Sequence, residues 1–228
     1  ALKELFRLPR PPGAAEPAGA ALIPDFLLPL YAEIGAATGF GFPSGHAISA
    51  IVVYSGLALL VDTRRGYAVA VALCVLLPLS RIVLGVHYLV DVVAGLAVGG
   101  AYLAVVFSVC DRGSAPGRAM AIAVAVALVS VAIGYTTNTM IALGGAFGAW
   151  TAWRVLGSTI ADAPTTRIGG SVGAVIGIAF GGLFAAVYAS DPVPHIGFVG
   201  LSVVIWGVLS APIAGEAIVD RLSLPANS

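Results

Sequence analysis

The sequence predicts an all-α protein, a polytopic bundle of about seven transmembrane helices. Three observations carry that reading. Of the 228 residues, 59% are hydrophobic and only 10% charged, with a mean hydropathy of +1.02; a soluble domain carries about 25% charged residues. From Ser44 onward, apolar runs of bilayer-crossing length alternate with short breaks. The cations gather at the breaks and the run ends. The formal net charge of zero argues against a nucleic-acid partner.

Residues 1–20 are basic and then rich in Pro, Ala and Gly; Pro9, Pro11, Pro12 and Pro17 exclude a regular helix, so this part reads as a loop. The chain starts at Ala1 with no signal-type apolar run, and upstream sequence with further spans is expected ahead of it. Residues 21–37 form an apolar run interrupted by Pro24, Asp25, Pro29 and Glu33. That suits an interfacial or re-entrant helix, a lid or a wall beside a site. Spans are expected near 45–61, 67–85, 87–110, 119–135, 139–157, 171–189 and 196–219. Alternate breaks hold Arg64, Arg65, Arg112, Arg118, Arg154, Arg167 and Arg221, which the positive-inside rule assigns to the cytoplasm. Lys3, Arg7, Arg10 and Arg81 map to the other side, against the rule, which implies that something anionic holds them. Cys74 and Cys110 lie in apolar runs as small core residues and outline neither a disulfide nor a zinc framework.

The stretch Ser80 to Asp91 places Arg81, His87 and Asp91 in a segment otherwise as apolar as a span. Ionisable groups there are costly and point to a functional site. His87 and Asp91 stand four apart, on one face if helical, so the carboxylate can fix the imidazole tautomer and leave the other nitrogen as base or nucleophile. A buried pair that only locks two helices together explains this stretch equally well. A second cluster, Gly41 to His46, sets Pro43, Ser44 and Gly45 before a span. A helix start of that kind binds phosphate through backbone N–H groups, and Ser44 alone also suits an ordinary cap. The third cluster is Lys3 with Arg10 and Pro11, by itself no more than a basic patch beside a membrane. Topology joins the three: span 45–61 leaves one face at His46, span 67–85 returns there near Arg81, and span 87–110 departs from it at His87.

Together, Lys3 to Pro11, Pro43-Ser44-Gly45-His46, and Ser80-Arg81 followed by His87 and Asp91 resemble, in order and spacing, the three signature motifs of the type 2 phosphatidic-acid phosphatase superfamily. These are the lipid phosphate phosphatases, which share their site with vanadium haloperoxidases. The resemblance implies a phosphatase core over 1–111, followed at 112–228 by a transmembrane extension of unknown role containing four helices. It also implies roles: His87 as nucleophile, Asp91 orienting it, His46 as general acid, and Lys3, Arg10, Ser44, Gly45 and Arg81 holding phosphate. No metal or other cofactor is implied, and Asp25, Glu33 and Asp91 are too scattered to hold magnesium. The expected partner is a membrane lipid phosphate at the non-cytoplasmic face: an isoprenyl diphosphate, phosphatidic acid or phosphatidylglycerol phosphate. Two other readings use the same pocket, a lipid-headgroup transporter or flippase and a lipid phosphotransferase. In the second half, Gly173, Gly177 and Gly181 suggest a helix-packing stripe, Trp150, Trp153 and Trp206 core or interfacial anchors, and Glu216 a cytoplasmic position near Arg221.

Overall fold

Proline spacing decides how the chain starts. In the computed structural model, which describes residues 2–162 and 166–222, helix α1 (Leu2–Phe6) occupies the part expected to be loop. The first proline is Pro9, so one helical turn fits ahead of it and presents Lys3. The apolar run at 21–37 becomes two 3-10 turns, Ala20–Leu22 and Asp25–Leu27, and then α2 (Leu28–Gly35), with Pro29 in the first turn where its missing N–H costs nothing. The Tyr31 hydroxyl donates to the Ala18 carbonyl and ties α2 back to the turns.

Caps then set the register of the long helices. Ser44 accepts from Ala47 N at 3.4 Å and starts α3 (Gly45–Ala50), which passes through a π-helical segment, Ile51–Ser55, into α4 (Gly56–Val61). Thr63 accepts from Gly66 N at 3.1 Å and starts α5 (Arg64–Val83), three residues earlier than periodicity alone places it. Helix α6 (Leu89–Val109) follows, and its backbone lies against α3 because two positions carry no side chain. A Cβ on Gly95 would stand 2.6 Å from the Ser44 carbonyl oxygen, and one on Gly99 would stand 2.9 Å from that of Ile48.

These elements make up one unit, Leu2–Ser114; the other is Ala115–Ser228. The second contains α7 (Pro116–Ile133), α8 (Thr137–Asp162), α9 (Arg167–Ala189) and α10 (Pro194–Arg221). In it α10 packs against α8 and α9, and α7 against α8. Of the expected glycine stripe only Gly173 makes the close approach, 2.9 Å from the Ala211 carbonyl for an added Cβ; Gly177 and Gly181 meet nothing within 4 Å. The tight crossing lies toward the start of α9, where Glu216 accepts from Thr166 N at 2.6 Å and from its hydroxyl at 2.9 Å. Glu216 thus holds Thr166, which caps α9 by accepting from Gly169 N at 3.0 Å. Trp206 is an anchor within the unit, its Nε1 donating to Thr151 Oγ1 at 2.9 Å.

Among the described residues there is no strand, and five helices are long and apolar enough to cross a bilayer: α5, α6, α7, α9 and α10. They make this an integral membrane protein. The seven expected spans are not all of that kind. The apolar helix Gly45–Val61 is shorter, and α8 carries Thr137, Asn138, Thr139, Thr151 and Arg154 along its length.

Candidate active site

The unit Leu2–Ser114 contains a cavity of about 690 Å³ walled by Lys3, Arg10, Gly45, His46, Arg81 and His87, among others. His87 does not sit in the first turn of α6, as the spacing suggested. It lies two residues before that helix, in the link from α5, where Gly85 at φ 69° turns the chain. His87 and Asp91 are therefore not neighbours on a helical face. They meet because Asp91 is in the first turn of α6, where its Oδ2 accepts from Tyr88 N at 2.9 Å and lies 3.2 Å from His87 Nδ1. Both side chains are buried, His87 4% and Asp91 2% exposed.

The other nitrogen of the imidazole settles the tautomer. Arg10 Nη1 is 3.3 Å from His87 Nε2, and a guanidinium can only donate. Nε2 is therefore the acceptor, the proton is on Nδ1, and it is directed at the Asp91 carboxylate. This is a neutral imidazole, held from behind by a carboxylate, with its lone pair turned toward the cations.

Backbone carbonyls and one hydroxyl hold the two arginines in place. Arg10 Nε donates to Thr38 O at 3.1 Å and Nη1 to Val86 O at 2.8 Å; Arg81 Nη1 donates to Ile34 O at 3.0 Å and Nε to Ser80 Oγ at 3.3 Å. Gly41 keeps this side tight, since a Cβ there would press on both Arg10 and Asp91 at 3.2 Å. Burial pulls the Lys3 ammonium below its ordinary pKa, repulsion from Arg10 adds to the fall, and Asp91 opposes it. Arg10 is lowered in the same way by burial, against Asp91, yet a guanidinium stays charged. At His87, outside the spans, burial lowers the imidazole pKa against the upward pull of the Asp91 hydrogen bond, so the neutral ring is favoured.

Of the residues singled out in the sequence, Lys3, Arg10, Gly45, His46, Arg81 and His87 face the cavity, and Asp91 stands behind His87. Ser44 does not line it. That side chain is fully buried, its hydroxyl engaged with Ala47 N and its backbone N–H donating to Asp91 O at 2.9 Å, so it braces α3 against α6. Sequence reasoning missed Ile34 and Thr38, which act through carbonyls and carry no side-chain signal. It also missed Ser49 and Tyr54 in the wall; only Ser49, three residues from His46 on the same helix, offered a hint in its spacing. Among the described residues no three His, Cys, Asp or Glu side chains are placed to hold a metal ion.

This helical unit sets a carboxylate-backed imidazole and a second histidine among three cations, an arrangement whose charge and donors suit an oxyanion such as a phosphate. Residues 1–113 match the family model of the PAP2 superfamily, and this part of the chain belongs to that superfamily. The chain is similar to phosphatidylglycerophosphatase B of Bacillus subtilis, 35% identical over 85 residues, 33% of this chain and 39% of that protein. It is also similar to decaprenylphosphoryl-5-phosphoribose phosphatase of Mycobacterium tuberculosis, 44% identical over 68 residues, 30% of this chain and 36% of that protein. The matched region thus spans less than two fifths of the length of these relatives. No solved structure matches.

Proposed function

We propose that the protein is a membrane phosphatase that hydrolyses the phosphomonoester or diphosphate of a lipid through a phosphohistidine, without a metal, at the non-cytoplasmic face. The observation that carries this is His87, with Nδ1 on Asp91 and Nε2 directed at Arg10 in a cavity shared with His46, Lys3 and Arg81. In the first step Nε2 attacks phosphorus, the bond from phosphorus to the leaving oxygen breaks, and His46 supplies the proton with which that oxygen departs. In the second step His46 takes a proton from water, the water oxygen bonds to phosphorus, and the P–N bond breaks to release phosphate and restore the neutral ring. Lys3, Arg10 and Arg81 bind the non-bridging oxygens, with the Gly45 N–H at the start of α3 beside them. The Ser44 hydroxyl, spent on its cap, supports this cradle from below.

Both relatives are named for removing a phosphate from a lipid, which supports a substrate whose phosphate lies at headgroup level. Isoprenyl diphosphates, phosphatidic acid and phosphatidylglycerol phosphate fit that description. The arginines support the non-cytoplasmic orientation: α3 to α4 leads away from the site, so Arg64, Arg65 and Arg112 belong to the far end of this unit, where the charge rule favours the cytoplasm. Phosphate release from those three lipids by the purified protein in detergent, compared with the His87→Ala variant, tests the reading. Release by the wild type alone is expected. Equal release by the variant would remove His87 as the nucleophile, and headgroup binding with no release would favour a transporter.

A further inference from the structure

The cavity at His87 does not end where the phosphate chemistry ends. Beyond the cations its wall continues with Ile34, Val53, Tyr54 and Leu77. A second cavity of about 370 Å³ lies between the same two stretches of helix, Gly45–Val61 and α5, walled by Leu57, Ala58, Val61 and Val69, with Thr63 and Arg65 among its polar neighbours. Tyr54 belongs to both walls, so the two cavities adjoin at this residue along the same pair of helices.

The helix is built to keep their shared wall straight. The residues facing it recur as pairs four apart: Gly45 and His46, Ser49 and Ala50, Val53 and Tyr54, Leu57 and Ala58. On an α-helix of 3.6 residues per turn, a period of four drifts by about 40° at each step and would carry Leu57 off the face. The π-helical segment Ile51–Ser55 puts more residues into a turn and rotates the helix back, so Leu57 and Ala58 stay in line with His46. From Gly45 to Val61 the strip rises roughly 24 Å. Its outer edge is open and apolar: Val53 is 49%, Leu57 54% and Val69 58% exposed.

We infer that the two cavities together form a groove that holds the hydrocarbon chain of the lipid phosphate, and that Tyr54, where the chain must pass from the first cavity to the second, determines which chain lengths are used. The inference rests on the lipid phosphatase reading above. Its occupant is argued from adjacency: a lipid with its phosphate against His87 has this apolar strip beside the site as a path for its chain. A short chain ends before Tyr54; a long polyprenyl chain passes it and gains the contacts of Leu57, Ala58, Val61 and Val69, until Thr63 and Arg65 close the apolar path.

The test compares butyl, farnesyl and undecaprenyl monophosphates as substrates of the full chain in detergent, reading kcat/KM for each. In the wild type the undecaprenyl ester is the best of the three. Tyr54→Trp, which narrows the junction, lowers the ratio of undecaprenyl to butyl kcat/KM by roughly tenfold or more. Leu57→Trp, a change at a half-exposed site that spares the fold, lowers the undecaprenyl to farnesyl ratio by blocking only the second cavity. Val71→Trp, 64% exposed and outside both walls, controls for added bulk and leaves the ratios at their wild-type values. If the Tyr54 and Leu57 variants keep the ratios of the Val71 control, the chain lies elsewhere and the inference falls while the phosphatase reading stands. If the wild type releases phosphate from none of the three esters but does so from phosphatidic acid, the groove's assignment falls and the phosphatase reading stands; release neither from the three nor from phosphatidic acid, phosphatidylglycerol phosphate or an isoprenyl diphosphate overturns both.

Discussion

Gly95→Ala tests whether the site depends on the contact between α6 and α3. The added Cβ would stand 2.6 Å from the Ser44 carbonyl oxygen and 2.8 Å from Ala47 Cβ. Ordinary contact begins at 3.4 Å, so the two helices must separate by about 0.8 Å at this point. The Ser44 carbonyl also accepts the first hydrogen bond of α3, from Ile48 N at 3.1 Å, and Ser44 N donates to Asp91 O, so both halves of the site move together. Overpacking of this size costs about 1–3 kcal/mol of stability. A shift near 1 Å in a reacting group costs on the order of 10²-fold in rate. Thermal unfolding in detergent and kcat for phosphate release read the two effects. Gly100→Ala is the control, on the same helix with nothing within 4 Å of its Cβ. It leaves kcat unchanged and gains up to about 1 kcal/mol from helix propensity. A Gly95→Ala protein with the kcat and melting temperature of Gly100→Ala would refute the argument that this contact sets the site.

Four more outcomes are expected. Asp91→Asn, which keeps the shape but no longer favours the proton on Nδ1, lowers kcat by about 10²-fold or more; unchanged single-turnover rates would count against the orienting role. Burial favours neutral His87, so the acid limb of kcat/KM lies below about pH 6.5. Removing the Asp91 hydrogen bond, which pulls the pKa up, moves that limb lower still, while substrate ionisation is common to both proteins. Activity persists in EDTA and is inhibited by vanadate as a five-coordinate phosphate analogue; loss of all turnover on chelation would overturn the metal-independent reading. Deleting the exposed turns at 21–27, where Leu22 is 87% and Phe26 80% exposed, changes preference among lipid substrates more than hydrolysis of a soluble ester.

Much of this site was legible because its side chains announce themselves in apolar surroundings. Arg81, His87 and Asp91 inside a span-like run, and the alternation of spans that brings His46 to the same end, need nothing beyond spacing and hydropathy. What could not be read depends on backbone detail. The two-residue offset that takes His87 out of α6 comes from the turn at Gly85 and the Asp91 contact to Tyr88 N. Ser44 carries the same hydroxyl whether it grips a phosphate or caps a helix, and only its burial decides. Tyr54 enters the wall through a π-helical segment, Ile51–Ser55, that hydrophobic periodicity does not reveal. Glu216 meets Thr166 fifty residues away in sequence, a pairing with no local trace.

The partners of the two arginines give the site its logic. Each guanidinium is fixed through Nε and Nη1 by neutral acceptors: the carbonyls of Thr38 and Val86 and the ring of His87 for Arg10, the Ile34 carbonyl and the Ser80 hydroxyl for Arg81. Neutral acceptors orient a cation without cancelling its charge, whereas a carboxylate in those places would compete with the phosphate. The Asp91 carboxylate lies instead on the Nδ1 side of the imidazole, away from the lone pair. As Nε2 bonds to phosphorus in the proposed reaction, the ring becomes positive and Asp91 balances it. On the other side the cations balance the charge on the phosphoryl oxygens. Exchanging the Nε2 contact of Arg10 for a phosphate oxygen then accomplishes two things together, freeing the nucleophile and fixing the electrophile.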